Sequence, residues 1–304
     1  MGGASLCDTP PVVATTSHWY GRWWAVALII ASVIGVTGVV TVRALGLRSL
    51  SAGAEPMPFP PEGFDYSWWN GALGRWVDGG RVDYDAVLSE EDDLRRFVAT
   101  LGIAGPRSTP ELFQAEPERL AYYLNAYNAL VLFAVLDNWP IESVHDVHGW
   151  LDPRKGFGFF YGLQMPLDGE ATNLYDLENG VIRGFKDARI HAAINCASKS
   201  CPPLAPFAFE PATLDAQLDQ VTQAFCSTAP HVSIDEPSKE IRLSAIFDWY
   251  RVDFEEHARR LGKPATALDF IEAFATPEMA AALAEARSAD FEVVFQPYDW
   301  MLNR

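Results

Sequence analysis

Glu118-Arg-Leu-Ala-Tyr-Tyr-Leu-Asn-Ala-Tyr-Asn-Ala-Leu-Val-Leu-Phe-Ala-Val-Leu136 is apolar almost all round, and a helix with no broad polar face belongs inside a core. Pro117 just ahead of it suits a first helical turn, and Pro140 after Asn138 closes it. The spacing therefore predicts one buried central helix over 118–136, around which the rest of the chain is built. Asn125 and Asn128 lie three apart and share a face. A buried amide left without partners costs about 1–3 kcal/mol. Each asparagine must therefore either tie down a neighbouring loop through backbone hydrogen bonds or line a pocket.

Working outward, helical patterning is expected over 66–77, from Asp83 toward Leu101, and over 215–225, 244–261, 266–275 and 278–286. Gly, Pro and Ser break the pattern over 102–110. Val232 to Ile234 and Ile241 to Leu243 flank Glu236-Pro-Ser-Lys239 as a hairpin, and 292–295 reads as a last strand. The glycine- and aromatic-rich run 150–165 suggests another hairpin, with Gly156, Gly158 and Gly162 at its turns. Grouped helices with strands concentrated later give an α+β class, a single domain over 64–304.

Two polar features stand out against this apolar pattern. In 172–184, Leu174, Leu177, Val181 and Ile182 form the apolar stripe of a helix capped by Thr172 or Asn173 and stopped at Gly184, and Glu178 sits within that stripe. An inward carboxylate needs a cation or donors, and His191, Arg183 and Arg189 are the candidates. A structural ion pair and a catalytic pairing both fit. The second feature is Ala188-Arg-Ile-His-Ala-Ala-Ile-Asn-Cys-Ala-Ser-Lys-Ser-Cys-Pro-Pro203, which gathers His191, Asn195, Cys196 and Cys201. Its alternation reads as a strand, with Arg189, His191, Ala193 and Asn195 on one face and Ile190, Ala192 and Ile194 on the other. A groove over Ala193 follows, floored by the Cys196 loop.

The chain has 304 residues, 49% of them hydrophobic, and a net charge of -17. That length can bury a full core. The acidity excludes nucleic acid as an expected partner, since binding it needs clustered Lys and Arg. From Trp24 to Val42 no charged residue appears, and about 19 residues at 1.5 Å each span roughly 28 Å, close to a bilayer's hydrocarbon thickness. Trp19, Tyr20, Trp23 and Trp24 at its start suit an interfacial belt. The organisation expected is a disordered tail over 1–22, a single transmembrane signal-anchor over 23–44 and a spacer over 45–63 containing Pro56, Pro58, Pro60 and Pro61. A cleaved signal ending near Ala52-Gly-Ala54 is the rival. Arg22 against Arg43 and Arg48 leaves the charge rule nearly tied, and the acidic, Trp-rich bulk places the domain outside the cytoplasm, on the periplasmic side of an inner membrane.

Taken together, Tyr122-Tyr-Leu-Asn-Ala-Tyr-Asn128, Leu174-Tyr-Asp-Leu-Glu178 with Ile182-Arg183, Arg189-Ile-His191, Asn195-Cys-Ala-Ser-Lys-Ser-Cys-Pro-Pro-Leu204, Phe247-Asp-Trp-Tyr250 with Asp253-Phe254, and Tyr298-Asp-Trp-Met-Leu-Asn303 resemble the family known as domain of unknown function 547. With these six blocks in one order, the resemblance is taken to cover about 65–304. The resemblance implies one domain over the soluble part, and membrane attachment as in some bacterial members. It carries no activity with it.

Three functional readings remain open. A thiol hydrolase or acyl/amide transferase would use Cys196 as nucleophile, His191 as base and Glu178 or an asparagine as orienter, with Asn125, Asn128, Asn195 and Arg189 around a polar pocket. A disulfide between Cys196 and Cys201 would instead staple the loop, as an oxidising compartment favours. The third reading is a non-catalytic accessory subunit that packs against other membrane proteins or binds a small-molecule or peptide ligand through aromatics such as Trp68, Trp69 and Trp76. The alternative for those tryptophans is ordinary core. No cofactor is expected, and no metal, because Cys-x4-Cys with one upstream His lacks a fourth ligand.

Overall fold

A computed structural model describes residues 47–60, 63–149, 152 and 155–304. The tail, the anchor and the span 24–42 read from the sequence lie outside these residues. Strand β1 (Arg48–Ser49) comes first. Helix α1 (Ser67–Trp76) buries Trp69, Ala72, Leu73 and Trp76, one helical stripe. Short strands β2 (Val77–Asp78) and β3 (Arg81–Val82) pair antiparallel. They lead into α2 (Tyr84–Ser89), capped by the Asp83 carboxylate on the Ala86 amide at 3.0 Å, and α3 (Glu91–Ile103).

Helix α4 (Glu116–Asp137) is the centre of the larger core, and every residue from Leu120 to Leu136 is buried. It is long and apolar enough to cross a membrane, but protein covers its faces. Its entry is fixed by Glu118, whose carboxylate accepts the Ala115 amide at 2.7 Å. Strands β4 (Leu163–Leu167) and β5 (Glu170–Thr172) form an antiparallel hairpin, and β1 joins β4 in parallel.

That hairpin lies later than the pattern over 150–165 suggests. Its turn is Asp168-Gly169, at φ 53° and 82°, and the strain of a non-glycine residue there is offset because the buried Asp168 carboxylate accepts the Arg107 and Ser108 amides and the Ser108 and Tyr123 hydroxyls. The earlier glycines do other work. Gly158–Gly162 is a π-helical turn, and a Cβ on Gly158 would stand 2.4 Å from the Val147 carbonyl oxygen.

The expected helix over 172–184 is a composite of α5 (Leu174–Asp176), a π-helical turn Leu177–Val181 and a 3-10 turn Ile182–Phe185, ending at left-handed Lys186 and not at Gly184. The Asn173 side chain caps it on the Asp176 amide at 2.8 Å. The expected strand at His191 is one helical turn, α6 (Ile190–Ala193). All four of its residues are buried, so no solvent face sets a period, and a short apolar run of this kind does not distinguish strand from helix. Arg189, His191, Ala193 and Asn195 therefore do not share a strand face.

Beyond it come α7 (Leu214–Ser227), hairpin strands β6 (Val232–Asp235) and β7 (Glu240–Leu243), helices α8 (Ile246–Trp249), α9 (Arg251–Arg260), α10 (Ala267–Phe274) and α11 (Pro277–Ser288), and β8 (Glu292–Phe295), parallel to β7. Phe225, Phe247, Phe254 and Phe270 fill a second core there. Helices and several small sheets thus form one compact α+β arrangement. Two further expectations change. The spacer packs on the fold, since Leu50 and Ala52 are buried and the Leu50 amide donates to Gln164 at 2.7 Å. Trp69 and Trp76 are core, and Trp68 is half-buried against Phe97.

Candidate functional site

A cavity of about 610 Å³ opens between the two cores, lined by His191, Cys196, Glu178 and Tyr250 among others. Such a volume suits a small ligand or a few residues of a peptide. Several parts of the chain supply it, with Tyr127 of α4, His145 and Phe160 among the lining residues. The π-helical turn brings Glu178, α6 and the loop after it bring His191 and Cys196, the joint between α8 and α9 brings Tyr250, and the irregular tail after β8 brings Tyr298 and Trp300.

His191 has an almost wholly buried ring. Its Nε2 lies 2.8 Å from Oδ2 of Asp253, which fixes the tautomer: Nε2–H donates to the carboxylate and Nδ1 keeps the basic lone pair. The same carboxylate accepts both Nε and Nη2 of Arg183, at 2.7 and 2.8 Å. Burial works to raise the Asp253 carboxyl, but the hydrogen bonds from His191 and Arg183 outweigh it and hold it well below the usual carboxylate range. Tyr250 stacks on the His191 ring, centroids 4.0 Å apart at 28°, and sandwiches it against the second core.

Glu178 does not pair with His191, Arg183 or Arg189. Its carboxylate accepts the hydroxyls of Tyr127, at 3.3 Å, and of Tyr250. Two phenols satisfy the inward carboxylate, and Tyr250 couples it to the imidazole it stacks on. Burial and then the Glu178 charge push the Tyr250 phenol far up, so it stays a donor across the physiological range.

Cys196 sits half-buried on a loop held from several sides. The Asn195 side chain accepts the Ala197 amide and donates to the Pro202 carbonyl, both at 2.7 Å, closing the loop around both sulfurs. Ala197 is left-handed at φ 61°, which costs a residue with a Cβ about 1–2 kcal/mol. Backbone hydrogen bonds from Asn303 to Ala197 and from Lys199 to Met301 hold it there. The Cys196 sulfur lies 3.0 Å from that of Cys201, 3.1 Å from the Tyr298 hydroxyl and 3.4 Å from the Ser198 hydroxyl. Burial raises the Cys196 thiol, yet the hydrogen bonds from Cys201, Ser198 and Tyr298 together bring it below its usual value. Burial and then the Cys196 sulfur push Cys201 well above its own. Of the two, Cys196 gives up its proton first. Both cysteines are free thiols in this structure, with no bond between them.

The cavity thus gathers Cys196, Cys201, His191, Glu178 and Arg183 of the residues singled out by sequence. Asn125, Asn128, Asn195 and Arg189 do not line it. Asn125 exchanges two hydrogen bonds with the backbone of Phe209, at 2.8 and 2.9 Å, and Asn128 spans the Ala193 carbonyl and the Asn195 amide at 3.0 and 2.9 Å. Both tie down loops. Arg189 is held by Asp187, Asp215 and Asp219. The sequence pattern did not single out Asp253, Tyr250, Tyr127 or Tyr298 as site residues. All four belong to the blocks that carried the family resemblance, which was the available signal. Among the described residues, no group of three or more His, Cys, Asp and Glu is placed to hold a metal ion.

Residues 111–226 match the family model described as "Protein of unknown function, DUF547". The matched stretch contains Tyr127, Glu178, Arg183, His191, Cys196 and Cys201. Tyr250, Asp253 and Tyr298 follow it in the chain, so the stacking and carboxylate partners of the imidazole and one of the thiol's partners come from beyond the matched stretch. No curated protein and no solved structure matches the chain.

Proposed function

We propose that the domain is a thiol-dependent hydrolase or acyl/amide transferase, with Cys196 as nucleophile, His191 as general base and Asp253 as the group that orients the base. The observation that carries this reading is that a thiol held below its usual value and a carboxylate-bound imidazole open on one cavity. The Cys196 thiolate attacks the substrate carbonyl, and Nδ1 of His191 takes the thiol proton and returns it to the departing amine or alcohol. The thioester left on Cys196 is then cleaved by water or by an acceptor amine. Asp253 keeps Nε2 protonated throughout, and Glu178 with Tyr250 keeps the ring in place. The aromatic walls, Tyr175 and Trp249 with exposed faces among them, favour an acyl or peptide group with apolar surface.

The arrangement in the cell is part of the same proposal: a single membrane span over 24–42 holding the domain outside the cytoplasm. It is supported by the uncharged run from Trp24 to Val42. An accessory or ligand-binding subunit is the alternative, in which the cavity binds a small molecule or peptide without turning it over.

The test is acylation by p-nitrophenyl 3-phenylpropionate, followed by intact mass and peptide mapping. The label should fall on Cys196, be absent from Cys196→Ala, and form about 100-fold or more slowly in His191→Asn. Equal labelling of the Cys196→Ala protein would refute the assignment and leave the binding reading.

A further inference from the structure

Acyl transfer gives Cys201 no task beyond its hydrogen bond with Cys196. Its sulfur lines the cavity, is buried, and stands 3.0 Å from the sulfur of Cys196. That is about 1 Å longer than a disulfide bond. The contact is not a loose one. The Asn195 side chain binds the residue that follows each cysteine, Ala197 and Pro202, and the Cys196 amide donates to the Cys201 sulfur at 3.0 Å. The C-terminal tail pins the loop between them, through Lys199 to Met301, Asp299 to the Ser200 hydroxyl, and Asn303 to Ala197. A fixed backbone holds two thiols in touch at the wall of a cavity, and the outer one is half-buried.

We propose that Cys196 and Cys201 form a dithiol couple that performs thiol–disulfide exchange on a small disulfide entering the cavity. This rests on the reading of Cys196 as the nucleophile. The Cys196 thiolate attacks one sulfur of the substrate disulfide, forming a mixed disulfide and expelling the other sulfur as a thiolate that takes up a proton. Cys201 then loses its proton and attacks the sulfur of Cys196. The Cys196–Cys201 bond forms, the mixed disulfide breaks, and the second substrate thiol leaves. The substrate disulfide is reduced to two thiols and the protein dithiol is oxidised by the same two electrons. A second dithiol, reacting in the reverse sense, returns the pair to its reduced state. The roles follow from position: Cys196 is the sulfur a ligand can reach, and Cys201 the buried one that resolves. While the bond is in place, Cys196 is not available for acylation, so one sulfur serves as both the acylating group and the point at which oxidation silences it.

The experiment treats the purified full chain, carrying Cys7→Ser and Cys226→Ser so that only this pair reports, with oxidised glutathione. Released thiol is counted and the intact mass is read. The expected result is two glutathione thiols released per chain and a protein lighter by two hydrogens. With Cys201→Ser, one thiol is released and a glutathionyl group stays on Cys196. A chain with both cysteines that stops at the mixed disulfide overturns the couple, and this arm needs no variant of the pair to fold. Acylation of Cys196 without thiol release from glutathione also overturns it and leaves the acyl-transfer reading standing. Thiol release without acylation supports the couple and removes that reading instead.

Discussion

Nε2 of His191 and Oδ2 of Asp253 meet at 2.8 Å across 62 residues of sequence, and this contact joins the two cores at the cavity. His191 sits on a helical turn tied to the central helix through Asn128 and the Ala193 carbonyl, while Asp253 rises from the first turn of α9 in the second core. The chemistry proposed for Cys196 therefore depends on the two cores keeping their register. Arg183, bonded to the other edge of the same carboxylate, fixes that register.

Asp253→Asn should weaken both stability and reactivity. The Asp253 carboxyl is held well below the usual range. A depressed folded-state value means that its stabilisation is complete above the unfolded carboxyl's titration near pH 4 and is lost as pH falls below it. The variant should unfold more easily at neutral pH, by about 1.5–3 kcal/mol, and should lack this part of the acid destabilisation. Urea unfolding from about pH 2 to 7 reads both effects, and a variant with wild-type midpoints throughout contradicts the pairing.

Asn128→Leu should destabilise the fold by about 1–3 kcal/mol, because the Ala193 carbonyl and the Asn195 amide would stay buried without their partners. Asn125→Leu does the same to Phe209. The two asparagines serve different loops but lie one helical turn apart, so the double variant should depart from the sum of the singles by their coupling. Thermal unfolding of the single and double variants checks this, and an unchanged melting temperature for either would mean that water replaces the amide.

An alkaline phosphatase fused after Arg304 should be active only if the domain is exported, as the uncharged run from Trp24 to Val42 implies. Deleting residues 24–42 should abolish that activity. Activity of a phosphatase confined to the exported compartment tells the two orientations apart, and an inactive full-length fusion reverses the proposed one.

How far the sequence could be read follows from what each segment has to satisfy. The central helix was legible because burial on all sides imposes one composition over its whole length. Cys196, His191 and Glu178 were legible as chemistry out of place in an apolar setting. The helical turn at His191 was not, because four fully buried residues show no periodic face. Asp253 was hidden for a different reason. A carboxylate in the first turn of a charged helix reads as solvated, and only the tertiary approach of His191 and Arg183 gives it another meaning. Tyr298 sits on a tail without regular structure, where no pattern says which way a side chain faces.

Tyr298→Phe tests how the nucleophile is tuned. The hydroxyl lies 3.1 Å from the Cys196 sulfur, and the Tyr298 phenol is itself pushed far up, first by burial, so near neutral pH it can only be a donor to the thiolate. Removing it takes away one of the hydrogen bonds that offset burial, and the Cys196 thiol should rise. In wild type, iodoacetamide should alkylate Cys196 along a pH curve whose midpoint lies below that of the Tyr298→Phe variant. The variant's rate at pH 7 should fall several-fold, because only the thiolate reacts. At a pH well above both midpoints the two proteins should react alike, which separates a change in ionisation from a change in access. A variant whose curve superimposes on wild type would leave Cys201 and Ser198 as the donors that matter.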